Sequence, residues 1–170
     1  MSIFKNSLIA LGIISFIPFA LAEEKAVYDS SVGDVANTAT RSDFNESDIP
    51  CPFGWSVKPN PSLDNSLSYV TADGSLSCSV TYIKPEVTRG YGAETYSRVS
   101  AEQMKCDLPV KSDLIADAWS FNCPDSRIEA VIYGDGQSGL VLLAIAGRSA
   151  STDKDLDDFI RFLANEAKRR

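Results

Sequence analysis

The sequence predicts an α+β fold: an antiparallel β-sheet of about five to six strands, flanked by two helices and stapled by disulfides. Three observations lead there. Segments in which apolar and polar residues alternate recur between turn signals from Phe53 to Ala146. Two other segments carry helical spacing, and the second is strongly amphipathic. The strands come in blocks rather than in strict alternation with helices, which favours an antiparallel sheet with helices laid on its faces.

The globular domain is expected over residues 49–170. Phe53-Gly54-Trp55-Ser56-Val57 reads as a first strand, closed by Pro59-Asn60-Pro61, since proline has no N–H for a ladder. Leu67, Tyr69 and Thr71 alternate with Ser68 and Val70, and Asp73-Gly74 marks a hairpin turn. Leu76, Cys78, Val80 and Tyr82 then alternate with Ser77, Ser79 and Thr81 in a half-buried return strand that Lys84-Pro85 ends. Residues 86–92 read as a loop. Ala93, Tyr96, Ser97, Ser100, Ala101 and Met104 can share one face, which places a helix over 93–104.

A second block of strands follows. Trp119, Phe121 and Cys123 share one side of a strand, and Ile128 to Tyr133 is the next. Gly134 to Gly139 is a turn. Leu140 to Ala146 is almost wholly apolar, as a strand buried on both faces would be. Leu156, Phe159, Ile160, Leu163 and Ala167 form the stripe of a last helix, with Thr152 and Asp155 resembling a capping box. Four aspartates, Asp153, Asp155, Asp157 and Asp158, crowd its start, and Lys168, Arg169 and Arg170 crowd its end, both favourable to the helix dipole.

The chain has 170 residues and a net charge of −7. Lys5, the apolar run Leu8 to Ile17, and Ala20-Leu21-Ala22 have the order of a secretory signal: charge, short apolar stretch, small residues at the exit. The apolar run is too short for a membrane span, which needs about 20 residues. Residues 1–22 are therefore expected to be a signal peptide cleaved near Ala22, and the mature form to be soluble and periplasmic or secreted. Residues 23–48 are polar, without a steady apolar period, and read as a flexible leader. Acidity without a basic run argues against nucleic acid and against anionic membrane surfaces. It suits a basic partner.

Cys51, Cys78, Cys106 and Cys123 all lie beyond the expected cleavage point. An even number in an exported chain reads as disulfides. Four cysteines allow three pairings; Cys51–Cys78 and Cys106–Cys123 are favoured because each would clip neighbouring elements. No Cys-x-x-Cys occurs and the chain has no histidine, so no zinc pattern fits, and neither a metal nor a cofactor is expected.

Two motifs are weighed against their surroundings. Gly134-x-Gly136-x-x-Gly139 matches a dinucleotide fingerprint in letters only, because an apolar strand follows where a helix N-terminus is needed. Asp153, Asp155 and Asp157 copy the start of a calcium loop, but Asp158 and Ala164 stand where that loop needs glycine and glutamate. Without histidine the usual base for nucleophilic catalysis is missing. Trp55, Trp119 and Phe121 read as core aromatics. In the loop Thr88-Arg89-Gly90-Tyr91-Gly92, Arg89 and Tyr91 are of the types that anchor interfaces, and they form the candidate interaction loop.

The Gly54-Trp55 start, the Tyr69…Asp73-Gly74…Val80 hairpin, the helix after a loop, and Gly139 to Gly147 followed by a helix give an order that resembles the PsbP-like fold family, which includes DcrB-type periplasmic proteins. The resemblance covers about residues 49–168. It implies a small binding or accessory module without catalysis. Small size, export, disulfides, acidity and the absence of catalytic groups make the expected function a non-catalytic protein-binding or accessory module of the bacterial envelope, an inhibitor or an immunity protein against an exported toxin being one form. Two alternatives are kept. One is a small-molecule or lipid-binding protein, with a deep apolar cavity between the Trp119–Phe121 strand and the last helix. The other is a hydrolase using carboxylates.

Overall fold

The computed structural model describes residues 49–61 and 63–169. The signal segment 1–22, its exit at Ala22, the leader 23–48 and Arg170 lie outside the described residues.

The chain enters through a tight turn at Pro52–Trp55 into β1 (Trp55–Pro59), which pairs antiparallel with β2 (Ser66–Thr71). The hairpin from β2 to β3 (Ser77–Ile83) turns at Asp73-Gly74, with Gly74 at φ +72. Asp73 organises this turn. Its Oδ1 accepts from the Thr71 hydroxyl at 2.8 Å, the Ser75 hydroxyl at 2.8 Å and the Ser75 amide at 3.0 Å. Those donors, the Ser75 amide first, hold its carboxyl down at about 2.

Residues 86–92 are not wholly loop. Lys84-Pro85 ends β3 and also opens a one-turn helix, α1 (Pro85–Thr88), with proline in the first turn, where its missing N–H costs nothing. Next come α2 (Ala93–Met104), β4 (Val110–Lys111), β5 (Trp119–Cys123), β6 (Ile128–Asp135), β7 (Gly139–Ala146) and α3 (Asp153–Arg169).

The architecture is mixed α+β, with one seven-stranded, wholly antiparallel sheet in the order β1-β2-β3-β7-β6-β5-β4. The five to six strands expected become seven, and three helices stand where two were expected. The strand missing from the expected set is β4. Its two residues are exposed and are a strand only because Val110 and Lys111 pair with Ser120 and Trp119.

The pleat sends alternate side chains to opposite faces, and each face builds its own core. On one face α3 lays Leu156 and Phe159 over Tyr69, Leu76, Cys78, Val131, Leu143 and Ile145. Trp55 stacks on Phe159 with ring centroids 4.8 Å apart, and Tyr69 meets the same ring edge-on at 5.0 Å. Burying a side chain of that size contributes about 1.5–3 kcal/mol. On the other face α2 covers Phe121, Ala130, Ile132 and Leu140. The buried residues of α2 are Ala93, Ser97 and Ala101, all small, so its backbone lies close to β5 and β6. The rest of that face, over β1, β2 and β3, presents a polar surface. Ser66 pairs with Thr81 and Ser68 with Ser79, hydroxyl to hydroxyl, at 2.8 and 3.0 Å. β7 is apolar along its length because it lies at the sheet's centre and feeds both cores: Leu140 to the α2 side, Leu143 and Ile145 to the α3 side.

The start of α3 differs in detail from a capping box. The Thr152 hydroxyl accepts from the Ser149 amide at 2.9 Å and donates to the Gly147 carbonyl at 2.8 Å, tying down the preceding turn instead of reaching toward Asp155.

Cys106, just past α2, is bonded to Cys123 at the end of β5, which pins α2 to the sheet. Cys51 and Cys78 are not joined; both are free thiols, Cys51 exposed and Cys78 buried. The register explains the correction. Cys78 stands opposite Tyr69 on β2, and Tyr69 stands opposite Val57 on β1. A whole strand separates β3 from β1, about twice 4.8 Å, and Cys51 lies further back along the chain, with its thiol donating to the Trp55 carbonyl at 3.3 Å. A disulfide needs Cα atoms within about 7 Å. Burial pushes the Cys78 thiol up to about 12, so it stays protonated and unreactive at neutral pH.

Candidate functional site

The segment after β3 does not hang free. Thr88, fully buried, donates its hydroxyl to the Gly136 carbonyl at 2.7 Å, in the turn between β6 and β7. The Tyr82 hydroxyl donates to the Ser138 carbonyl in the same turn at 2.8 Å. A β-carbon on Gly136 would collide with the Tyr91 carbonyl, and one on Gly90 would come 2.8 Å from Gln137 Nε2. The glycines of the Gly134-x-Gly136-x-x-Gly139 pattern therefore serve a hairpin turn and a close backbone approach. The turn itself is held by Asp135, whose Oδ1 accepts from the Gln137 amide at 3.0 Å.

This docking fixes the interaction loop. Arg89 ends α1 in the left-handed region at φ 51, and Gly90 follows at φ 76. The Arg89 amide closes on Pro85 and the Tyr91 amide on Thr88. Arg89 and Tyr91 are brought together on one short segment, both exposed, with Tyr91 54% accessible. Val87, 55% accessible, and Tyr82, 43% accessible, belong to the same end of the sheet. The sequence did not single out Val87 or Tyr82. Tyr82 sits in a regular alternating strand, and its exposure follows from its place beside the β6–β7 turn, a long-range fact.

A second cluster lies at the opposite end of β6. Arg148 reaches Glu129 Oε2 at 2.7 Å and Asp113 Oδ2 at 3.0 Å, with Asp153 at 3.9 Å. One guanidinium thus ties the loop after β4, strand β6 and the start of α3. The side-chain hydrogen bond from Arg148 holds the Asp113 carboxyl below the usual range, and Asp113 and Glu129 in turn raise Arg148. Beside this cluster is an open cleft of about 420 Å³ bordered by the Cys123 end of β5. Arginine in a short segment before a helix gave no local sign of this hub, since its three partners are dispersed in the chain.

The aromatic side chains of the Trp119–Phe121 strand, expected to line a cavity with the last helix, point to the other face of the sheet. Phe121 packs under α2 and Phe159 of α3 packs on the other face of the sheet. Of the expected core aromatics, Phe121 is buried and Trp55 stacks under α3. Trp119 is half-buried, with Lys111 Nζ 4.5 Å above its ring. No helix among the described residues is long and apolar enough to cross a membrane.

Comparison with known proteins finds no matching family model, no matching curated protein and no matching solved structure.

Proposed function

We propose that this chain is an exported, non-catalytic protein-binding or accessory module of the bacterial envelope, an inhibitor or immunity protein against an exported toxin being one concrete form. The observation that carries the reading is the docked loop pair, which holds Arg89, Tyr91, Val87 and Tyr82 exposed on a braced backbone. Interface anchors are enriched in tyrosine and arginine. A braced loop has little ordering entropy left to lose on binding. The −7 charge favours a basic partner through long-range attraction. The likeness in element order to the PsbP-like family, drawn from sequence, belongs to the same proposal.

The test is capture of the tagged protein from its own cell envelope after mild crosslinking, followed by mass spectrometry. One stoichiometric protein is expected. Its affinity for the purified chain should fall by about 30-fold or more when Arg89 and Tyr91 are both changed to alanine, the loss of about 2 kcal/mol typical of an anchor. A partner bound equally well by the double variant would remove the loop pair from the interface. A preparation with no stoichiometric protein would sink the reading.

A further inference from the structure

The cleft beside Arg148 lies away from the loop pair, at the other end of β6, and its lining is unlike an ordinary solvated edge. Asn122 and Glu129 stand directly opposite each other on β5 and β6, on the face that carries α3. Glu129 has only 12% of its side chain accessible. Its Oε2 is taken by Arg148. Its Oε1 has no protein partner among the described residues and is reached by solvent. Arg127 also lines the cleft, and among the described residues its guanidinium has neither an ion pair nor a hydrogen bond. The Asn122 amide is likewise unengaged. Pro124 adds apolar wall, and so does Ile145, which stands opposite Glu129 on the same face of the sheet.

The electrostatics restrict what could sit there. Arg148 is already surrounded by three carboxylates, so it offers little to an incoming anion. Arg127 supplies the one uncommitted positive charge of the lining and Glu129 Oε1 the unmet acceptor. With Arg148 committed to its carboxylates, an anion alone would leave the Glu129 oxygen unmet and a cation alone would leave Arg127 unmet. A ligand carrying both charges, on an apolar body, meets neither penalty.

We propose that this cleft binds a small zwitterion of the α-amino-acid type. Its carboxylate would take Arg127 and the Asn122 amide. Its ammonium would take the second oxygen of Glu129, and its apolar side chain would lie on Pro124 and Ile145. A cleft of about 420 Å³ is ample for such a ligand.

The probe is free L-leucine, titrated into the intact protein and followed by amide chemical shifts and calorimetry. Isocaproate and isopentylamine, which are leucine without its ammonium and without its carboxylate, are titrated in parallel. Saturable binding of leucine is expected, with each analogue at least about tenfold weaker. Shifts should centre on residues 122–129 and 147–148. Arg127→Ala should weaken leucine at least about tenfold with an unchanged melting temperature, because Arg127 is exposed and its guanidinium has no partner among the described residues. Equal binding of either analogue, binding undiminished in Arg127→Ala, or no saturation by leucine would each overturn the proposal. None of these outcomes bears on the loop pair, whose test reads a protein partner.

Discussion

Ser97 is the one buried side-chain polar atom among the described residues left without a hydrogen-bond partner. It sits on α2 between Ala93 and Ala101, where a small residue is needed for the helix to approach the sheet. The hydroxyl meets the size requirement and loses its water without compensation, which costs about 1–3 kcal/mol. Ser97→Ala keeps the fit and removes the cost, so an unfolding free energy raised by about 1 kcal/mol in urea titration is expected; a decrease would mean that the hydroxyl has a partner in solution. Arg148 is the opposite case. Arg148→Ala would leave Glu129, largely covered, without its counter-ion, and a loss of about 1–3 kcal/mol is expected on the same measurement. Neither residue announced itself in the sequence. One serine among many, and one arginine between a glycine and a serine, acquire their roles from what the fold places beside them.

The elements were legible in proportion to their length and period. α3 declared itself because its stripe of Leu156, Phe159, Ile160 and Leu163 runs over several turns, and the β2–β3 hairpin because Asp73-Gly74 punctuates two alternating strands. β4 and α1 did not. Two exposed residues and a single turn carry no period; β4 exists through its pairing with β5, and α1 is one turn opened by Pro85 and closed by the Arg89 amide. The cysteines show the same limit. Cys106–Cys123 links elements adjacent in space, whereas pairing Cys51 with Cys78 assumed that β1 lies next to β3, and the register puts β2 between them. The covalent framework is thus one bridge across α2 and β5, with a sequence separation of 17. Chain-entropy arguments give it about 3 kcal/mol. Changing both Cys106 and Cys123 to serine should lower stability by about that amount. Alkylation of the native wild-type protein should label Cys51 alone, with Cys78 reacting only on unfolding and the bridge only after reduction. Four reactive thiols without reductant would contradict this assignment.

For the molecule as a whole, the clearest electrostatic signature is at acid pH. Asp73, held at about 2 by the Ser75 amide and the Thr71 and Ser75 hydroxyls, and Asp113, lowered by its hydrogen bond to Arg148, both bind protons less readily folded than unfolded. Their contribution is therefore fully present above an unfolded carboxyl value of about 3.9 and is lost as pH falls through the folded values. Urea midpoints should drop between about pH 4 and pH 2, and Asp73→Asn should flatten part of that slope. An unchanged slope would mean that the Asp73 turn is not formed in solution. The candidate site was legible in half. Arg89 and Tyr91 could be chosen from residue type and loop position, but the brace that makes them a surface comes from Thr88 meeting Gly136 and Tyr82 meeting Ser138, contacts that no local pattern encodes.

The order of strands has a consequence for how the chain assembles. β1, β2 and β3 form one up-and-down ribbon, and β4, β5, β6 and β7 form another, each built from neighbours in sequence. A single joint, β3 against β7, unites them, and it pairs Ile83 with Leu140 and Ser77 with Ala146 across everything that lies between. Within each ribbon the loops to be closed are shorter than the one spanned by this joint. It alone must close around α1, α2 and three strands, at the entropic cost of a long loop. Cys78, Leu143 and Ile145, which meet across that joint or beside it, thus mark the part of the core that is completed when two half-sheets become one.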